Sequence, residues 1–139
     1  MILLDASGLV AAVDQSERNH ARVAGFVREA PERLVLSPFV LAEVDYLVVR
    51  HVGIDAELAL LDEVSRGTYE LARFSGEELA DARDVIVRYR DLGIGLADAS
   101  IVVLAGRLGT SRVLTLDERH FRALRTPDGR PFELLPADA

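Results

Sequence analysis

The sequence predicts an α/β fold in which a mainly parallel, five-stranded sheet carries helices on both faces. Short apolar runs alternate along the chain with longer segments whose apolar residues have helical spacing. This alternation is typical of parallel sheets, because two parallel strands have to be joined by a crossover that is usually a helix. A length of 139 residues suits one core, so we predict a single domain over residues 1–136 and a short, frayed tail over 137–139.

The first part of the chain predicts two strands and three helices. The predicted segments are a strand at 2–4, helices near 7–13 and 17–30, and a strand at 34–36. Pro31 ends the second helix, since proline cannot continue it. Ser37 followed by Pro38 predicts the start of a third helix, because serine is a good N-cap and proline is tolerated at the first helical position. That helix is expected to reach about His51.

The middle of the chain predicts a fourth helix. Asp55 is expected to cap it, and Gly67 is expected to end it. The apolar spacing predicts that Leu58, Leu61 and Val64 face the core.

A short strand at 69–71 and a fifth helix follow. Ser75 and Glu78 have the spacing of a capping box, in which each side chain accepts from the other residue's backbone N–H. The helix is expected to reach about Tyr89, with Leu79 among its inward residues.

The last part predicts a sixth helix between two strands. Asp98 is expected to start this helix and Gly109 to end it. A fourth strand is predicted at 113–116. A fifth is predicted at 131–135, at the sheet edge, where proline is tolerated at the first position.

The composition excludes several classes of protein. The chain has no cysteine, which excludes a disulfide framework and a thiolate metal site. It has no signal-peptide pattern and no apolar run near the ~18 residues of a membrane helix, so we predict a cytoplasmic protein. All 16 basic residues are arginine, which excludes lysine chemistry. The net charge of -7 argues against a broadly basic nucleic-acid binder, although clustered site carboxylates would contribute to that charge.

Four acidic residues lie where apolar segments begin, end or are interrupted. Asp5 follows Ile2-Leu3-Leu4, and Asp117 follows the apolar run that ends at Leu116. Glu43 interrupts the apolar side of the third predicted helix, and Asp98 precedes a nearly all-apolar segment. Because ligand sites in open α/β sheets lie beyond the carboxyl ends of the strands, we predict that the four carboxylates share one cleft.

Clustered carboxylates need a compensating charge. Two of them about 4 Å apart repel by roughly 4 kcal/mol at an effective dielectric of about 20. Mg²⁺ or Mn²⁺ provides compensation at neutral pH, since both prefer oxygen ligands, and such an ion supports phosphodiester hydrolysis. We predict Asp5 and Asp98 as the main ligands, with Glu43 and Asp117 completing the set directly or through water. Glu43 is also a candidate base for the attacking water.

Each acid also has a purely structural interpretation. Asp5 and Asp117 could cap the helices that follow them, Asp98 could complement a helix dipole, and Glu43 could extend from a helix edge into water. These alternatives remain open at the level of the sequence.

The polar residues near the four acids and the three histidines have different predicted roles. Ser7 and Thr115 are predicted to hydrogen-bond the carboxylates from behind. The histidines His20, His51 and His120 have no ligand spacing and are predicted to be surface residues.

Four segments in order resemble the motifs of PIN-domain ribonucleases. They are Ile-Leu-Leu-Asp5-Ala-Ser7, Ser37-Pro-Phe-Val-Leu-Ala-Glu43-Val, Leu96-Ala-Asp98-Ala-Ser100 and Leu114-Thr115-Leu-Asp117-Glu-Arg-His-Phe121. The resemblance spans nearly the whole chain. In its size, without added domains, the chain is similar to the VapC toxins of type II toxin–antitoxin modules.

The resemblance implies a metal-dependent endoribonuclease with a PIN-like three-layer fold and Mg²⁺ or Mn²⁺ bound at the four acids. It also implies a homodimer, an RNA substrate such as structured transfer or ribosomal RNA, and inhibition by a VapB-type antitoxin. The alternative is a catalytically silent PIN-like module that binds RNA or a protein.

Other phosphate chemistries fit the residues less well. A receiver domain uses a lysine, which this chain does not have, and a haloacid-dehalogenase-like phosphatase needs an aspartate where Ser7 stands. No GxxxxGK[ST] loop occurs, which argues against nucleoside-triphosphate hydrolysis.

Overall fold

The computed structural model describes residues 1–139 as seven α-helices around one five-stranded sheet. The strands are β1 (Ile2–Leu4), β2 (Leu34–Leu36), β3 (Glu70–Leu71), β4 (Arg112–Leu114) and β5 (Glu133–Leu135). The helices are α1 (Ala6–Val13), α2 (His20–Glu29), α3 (Pro38–His51), α4 (Ile54–Ser65), α5 (Gly76–Arg88), α6 (Leu96–Leu108) and α7 (Glu118–Phe121). Every strand pair is parallel. The predicted fold class is confirmed.

The strand order β3-β2-β1-β4-β5 places a reversal of direction between β1 and β4. From β1 the chain builds outward through β2 to β3, and then it crosses over to start the other half of the sheet at β4. In such sheets the crossovers leave in opposite directions from the reversal point, and a crevice opens at the carboxyl ends of the two strands. Asp5 and Thr115 are the first residues after β1 and β4, so both lie at this crevice.

The centre of the sheet is the centre of the core. All three residues of β1 are buried, as are Val113 and Leu114 of β4. They belong to one cluster of 30 buried apolar residues. Strands covered on both faces are expected to be continuously apolar rather than alternating, which explains why these short runs were readable in the sequence.

Helix α1 approaches β4 so closely that only glycine fits at the contact. A Cβ atom at Gly8 would lie 2.4 Å from the backbone oxygen of Leu114. The absence of a side chain at Gly8 allows this approach. The approach also brings Ser7 to the end of β4, where its Oγ lies 3.2 Å from Oγ1 of Thr115.

Two predicted helix starts are confirmed in atomic detail. The Ser37 hydroxyl accepts a hydrogen bond from the backbone N–H of Phe39 at 3.1 Å. At α5 the Ser75 hydroxyl accepts from Glu78 N, and the Glu78 carboxylate accepts from Ser75 N, both at 3.1 Å. These bonds satisfy N–H groups that have no partner within the helix.

The predicted cap of the fourth helix is wrong, and of its three predicted inward residues only Val64 is buried. Helix α4 begins at Ile54 with Gly53 as its N-cap at φ 130°, and Asp55 lies within the first turn. Leu58 and Leu61 are 53% and 38% exposed, whereas Leu60 is buried. Apolar residues occur on several faces of this helix, so their spacing alone did not identify the face that packs against α3.

One further inward assignment and two helix starts differ from the prediction. Leu79 of α5 is 45% exposed rather than inward. Helix α6 begins two residues before Asp98, because Gly95 serves as its N-cap. Helix α2 begins at His20 rather than near residue 17.

The segment expected to be a frayed tail is attached to the domain. Asp138 accepts a hydrogen bond from Leu134 N at 2.7 Å and forms an ion pair with Arg122 at 2.7 Å. Residues 137–139 therefore lie against β5 and α7. None of the helices combines the length and the apolar character that crossing a membrane requires.

Candidate metal centre

Asp5 is a buried carboxylate at the end of β1. Only 4% of the residue is exposed, and its Oδ2 accepts hydrogen bonds from Ser7 Oγ and Thr115 Oγ1, both at 2.7 Å. Burial raises the pKa of the Asp5 carboxyl above its ordinary value, against the effect of these hydrogen bonds, and repulsion from Asp117 adds to the rise. Its side chain makes no cap hydrogen bond to α1, so the capping alternative has no support at this residue.

Ser7 and Thr115 connect Asp5 to the segment that carries Asp117. The Ser7 hydroxyl accepts from the backbone N–H of Leu116 at 2.9 Å, and the Thr115 hydroxyl accepts from the backbone N–H of Asp117 at 2.9 Å. Each hydroxyl therefore donates to Asp5 and accepts from the loop after β4. The two residues hold Asp5 in one orientation and fix the loop relative to it.

Asp98 reaches the same cleft from the first turn of α6. Its side chain is 16% exposed. Burial raises the pKa of Asp98 to about 6, and repulsion from Asp5, Asp117 and Glu43 adds to the rise while His120 opposes it. Asp98 is therefore close enough to each of the other three acids to be repelled by their charge.

Asp117 has both a structural and a site position. Its Oδ1 accepts a hydrogen bond from the backbone N–H of His120 at 3.0 Å, which makes it the N-cap of α7. Its other oxygen, Oδ2, lies 2.9 Å from Nδ1 of the same histidine, inside the cleft. The capping alternative is therefore correct for one oxygen, and the second oxygen remains free to act as a ligand.

His120 is a residue whose position the sequence interpretation misjudged. It is not a surface residue, since its side chain is 22% exposed and Nδ1 lies 3.2 Å from Oδ2 of Asp98 and 2.9 Å from Oδ2 of Asp117. Ligand atoms of Asp98, Asp117 and His120 all lie within 4.8 Å of one another. The available signal was the distance of three residues from Asp117 to His120, which places both side chains on the same side of a short helix.

Glu43 lies at the rim of the cleft on α3. The residue is exposed, beside the buried stripe formed by Val40, Val44 and Val48. Partial burial of the carboxyl and repulsion from Asp5 raise the pKa of Glu43.

The donor set of the cleft suits a divalent cation. Asp5, Glu43, Asp98 and Asp117 carry four negative charges when ionised, and the imidazole of His120 lies in contact with two of them, Asp98 and Asp117. Oxygen-rich sites of this kind suit Mg²⁺ and Mn²⁺. The raised pKa values of Asp5, Asp98 and Glu43 reflect the electrostatic cost that such an ion removes.

In the metal-free protein, the free energy of unfolding is expected to depend on the charge of Asp98 and therefore on pH. A raised pKa in the folded state means that the folded protein binds more protons than the unfolded chain between pH 4 and about 6, so stability decreases as pH rises through this range. In EDTA, Asp98→Asn should be more stable than wild type by about 1 to 2 kcal/mol at pH 7, since solvent screening reduces the full effect of about 3 kcal/mol. Urea unfolding at pH 5, 6 and 7 measures this difference.

The difference between Asp98→Asn and wild type should decrease as the pH is lowered to 5. Asp81→Asn, on the exposed face of α5, is the matched control and should show no such trend. A difference that is the same at all three pH values would contradict the electrostatic strain inferred for the cleft.

Arginines near the end of the chain mostly have partners within the protein. Arg112 begins β4 at the opposite edge of the sheet and forms ion pairs with two glutamates, and Arg122 pairs with two further acids. Arg125 donates to backbone carbonyls. Arg119, in α7, forms no ion pair and its side chain donates no hydrogen bond, so its guanidinium is available to contact a polyanion.

Comparisons with known proteins agree with this architecture. The family model described as "PIN domain" matches residues 2–126. The chain is 45% identical over 135 residues to ribonuclease VapC26 of Mycobacterium tuberculosis (strain ATCC 25618 / H37Rv), a match that covers 97% of this chain and 100% of that protein.

Two solved structures have a similar fold. The crystal structure of Mycobacterium tuberculosis VapC20, described as a sarcin-ricin loop cleaving toxin, has a TM-score of 0.79 at 19% identity and covers 84% of this chain and 90% of its own. The crystal structure of VapBC2 from Rickettsia felis bound to a DNA fragment from their promoter has a TM-score of 0.66 at 21% identity. The match covers 96% of this chain and 98% of that chain. The full-length match to VapC26 and the family model together establish that the chain belongs to the PIN-domain family and is a ribonuclease of the VapC group.

Proposed function

We propose that this ribonuclease hydrolyses RNA phosphodiester bonds at a divalent-metal site formed by Asp5, Glu43, Asp98 and Asp117. The observation that carries the proposal is the convergence of acids from distant segments: ligand atoms of Asp98, Asp117 and His120 lie within 4.8 Å of one another, and Thr115, two residues before Asp117, donates to the buried Asp5. Four acids brought together from β1, α3, α6 and the end of β4 destabilise a metal-free protein. Such an arrangement is typical of a functional site rather than of a structural one.

The ion, when bound, lowers the pKa of a water molecule and stabilises negative charge on the leaving oxygen of the phosphodiester. Asp5 and Asp98 are proposed as its main ligands because both are largely buried and approach the cleft from rigid elements, the end of β1 and the first turn of α6. Asp117 adds its Oδ2. Ser7 and Thr115 act on Asp5, since their hydroxyls keep one carboxylate oxygen in place and leave the other to face the cleft.

Glu43 is proposed to act on the attacking water. It is the most exposed of the four acids, and no protein group donates a hydrogen bond to its carboxylate. A raised pKa makes a carboxylate a better proton acceptor at neutral pH. Glu43 would therefore accept the proton of the water at a carboxylate oxygen, beside the deeper acids that would hold the ion.

A purified-protein assay tests the proposal. Wild type, Asp98→Asn and the control Asp81→Asn are incubated with a panel of structured RNAs in Mg²⁺, in Mn²⁺ and in EDTA. Cleavage is expected for wild type and for the control with either ion, and it should be absent in EDTA and at least about 100-fold slower for Asp98→Asn. Equal cleavage by wild type and Asp98→Asn would overturn the proposed site.

The same assay distinguishes the alternative of a catalytically silent module. A folded wild type that neither binds Mn²⁺ nor cleaves any RNA of the panel would favour a module that acts by binding alone. Where cleavage is seen, mapping of transcript ends after induced expression in cells identifies the RNA and the position that is cut. We propose structured cytoplasmic RNA as the substrate class.

We further propose that a VapB-type antitoxin inhibits the enzyme and that the protein forms a homodimer. The solved relative from Rickettsia felis is VapBC2, and α3 and α4 of this chain present several exposed apolar side chains. Tyr46, Ile54 and Leu58 are 60%, 63% and 53% exposed. Exposed apolar surface of this extent is typical of a protein interface.

Sizing of the protein alone and after coexpression with the product of the adjacent reading frame tests the partners. A dimer alone and a larger complex after coexpression are expected. Tyr46→Ser with Leu58→Ser should weaken one or both assemblies while RNA cleavage is retained. A strictly monomeric protein that forms no complex would contradict this part of the proposal.

A further inference from the structure

The side chain of His120 has a polar atom without a hydrogen-bond partner inside the carboxylate cleft. Its Nδ1 is buried and makes no hydrogen bond. Yet the same nitrogen lies 2.9 Å from Oδ2 of Asp117 and 3.2 Å from Oδ2 of Asp98. Both N···O distances are short enough for a hydrogen bond. The angle at the nitrogen is not suitable, because neither carboxylate oxygen lies in line with an N–H on this atom.

A proton shared with one of the two oxygens does not explain this geometry. An imidazole N–H that donated to Asp117 or Asp98 would point at the oxygen it binds. Without a proton, Nδ1 would lie 2.9 Å and 3.2 Å from two carboxylate oxygens with no positive charge to offset their mutual repulsion. A positive charge placed between the three atoms, rather than along one of the two lines that join them, accounts for the arrangement.

A six-coordinate cation has the required geometry. Ligand bonds of about 2.1 Å place neighbouring ligand atoms of an octahedron about 3.0 Å apart, which matches the two contacts of Nδ1. Lone pairs of such ligands point at the ion and not at each other, so short contacts without hydrogen bonds are expected. One nitrogen of His120 and one oxygen each of Asp98 and Asp117 would be three of the ligand atoms around such an ion.

We infer that His120 binds the catalytic divalent ion directly through Nδ1 and gives the site a preference for a first-row transition-metal ion over Mg²⁺. This inference rests on the proposed function, because it assigns an additional ligand to the same centre. The preference follows from ligand chemistry, since imidazole binds transition-metal dications well and Mg²⁺ favours an all-oxygen shell. The short helix α7 serves this role by placing His120 one turn after Asp117, so that both side chains face one ion.

Electron spin echo spectroscopy of bound Mn²⁺ tests the inference directly, because the method detects magnetic coupling to a ligand nitrogen. Wild type is expected to show a nitrogen coupling, and labelling of the histidines with ¹⁵N should change it. His120→Asn should bind Mn²⁺ without this coupling, since asparagine offers an amide oxygen in its place. His51→Asn, which alters an exposed histidine at the end of α3, is the matched control and should keep the coupling.

Calorimetric titration with MgCl₂ and MnCl₂ provides a second measurement. The ratio of the Mg²⁺ dissociation constant to that of Mn²⁺ should fall by about tenfold or more in His120→Asn and stay unchanged in His51→Asn. His120→Gln is a second variant in case asparagine disturbs the cap of α7, and circular dichroism confirms folding of each. The ¹⁵N-labelled wild type decides the question even if both variants misfold.

The outcomes separate the role of His120 from the function of the site. Mn²⁺ bound to wild type without a nitrogen coupling, together with intact RNA cleavage, would overturn the inference and leave the proposed function standing. An unchanged Mg²⁺ to Mn²⁺ ratio in a folded His120→Asn would also overturn it. A folded wild type that binds no Mn²⁺ would overturn both.

Discussion

Asp5→Asn is expected to abolish RNA cleavage and at the same time to stabilise the metal-free protein at pH 7. Activity should fall by at least about 100-fold, because even the loss of an outer partner of a metal ligand costs 10- to 100-fold. Stability should rise because the substitution removes a charge from a residue that is 4% exposed and whose pKa is raised by burial. Asparagine keeps the shape of the side chain and an oxygen that can accept from Ser7 or Thr115.

Cleavage rates and urea unfolding in EDTA measure the two effects on the same preparations. Addition of Mg²⁺ should stabilise wild type, since an ion that binds only the folded state shifts unfolding to higher denaturant, and this stabilisation should be much smaller for Asp5→Asn. Asp81→Asn again serves as the control with both properties unchanged. A variant that lost activity together with stability would indicate that Asp5 has a structural role instead.

Gly8→Ala is expected to destabilise the protein by about 3 kcal/mol or more. In a helix this change normally stabilises by up to about 1 kcal/mol. Here the added Cβ would lie 2.4 Å from the backbone oxygen of Leu114, and a backbone atom of a central strand cannot move aside as a flexible side chain can. The predicted sign is therefore opposite to that of the intrinsic helix propensity.

Gly25→Ala provides a matched control for this prediction. Gly25 lies in α2, and its nearest contact for a new Cβ is the end of the Arg28 side chain at 3.7 Å. This variant should be neutral or slightly more stable than wild type. Urea midpoints of the two variants measure the contrast, and equal midpoints would show that α1 can move away from β4 without loss.

The Gly8 variant should also impair cleavage more than its stability loss explains. Displacement of α1 would move Ser7 away from Asp5 and from the backbone of Leu116, both of which it now contacts. Cleavage assays at a temperature where the variant is still folded separate this positional effect from unfolding.

The sequence was informative wherever a signal is local. The buried central strands are continuous apolar runs, and the caps Ser37 and Ser75 act on residues two and three positions away. Asp5 could be placed beyond the end of a strand because it immediately follows one. These features depend on neighbouring residues in the chain, and so their pattern survives without knowledge of the tertiary structure.

Other features could not be derived because they depend on packing between distant segments. Which side of α4 is buried depends on its contact with α3, and for that reason the inward assignment of Leu58 was wrong. The position of His120 depends on α7 lying against the start of α6, where Asp98 is 22 residues earlier in the chain. No periodicity within a four-residue helix could have indicated that contact.

The sequence by itself determined the order of elements, the family and the four acids that we propose as ligands, because these follow from local apolar patterns and from motifs that stand in order along the chain. Only the tertiary structure decided which atoms meet. It placed two hydroxyls behind Asp5, gave one oxygen of Asp117 to a helix cap, and brought the nitrogen of His120 between two carboxylates. The physical reason is that electrostatic and hydrogen-bond interactions act over a few ångströms, and sequence separation does not specify such distances between residues on different elements.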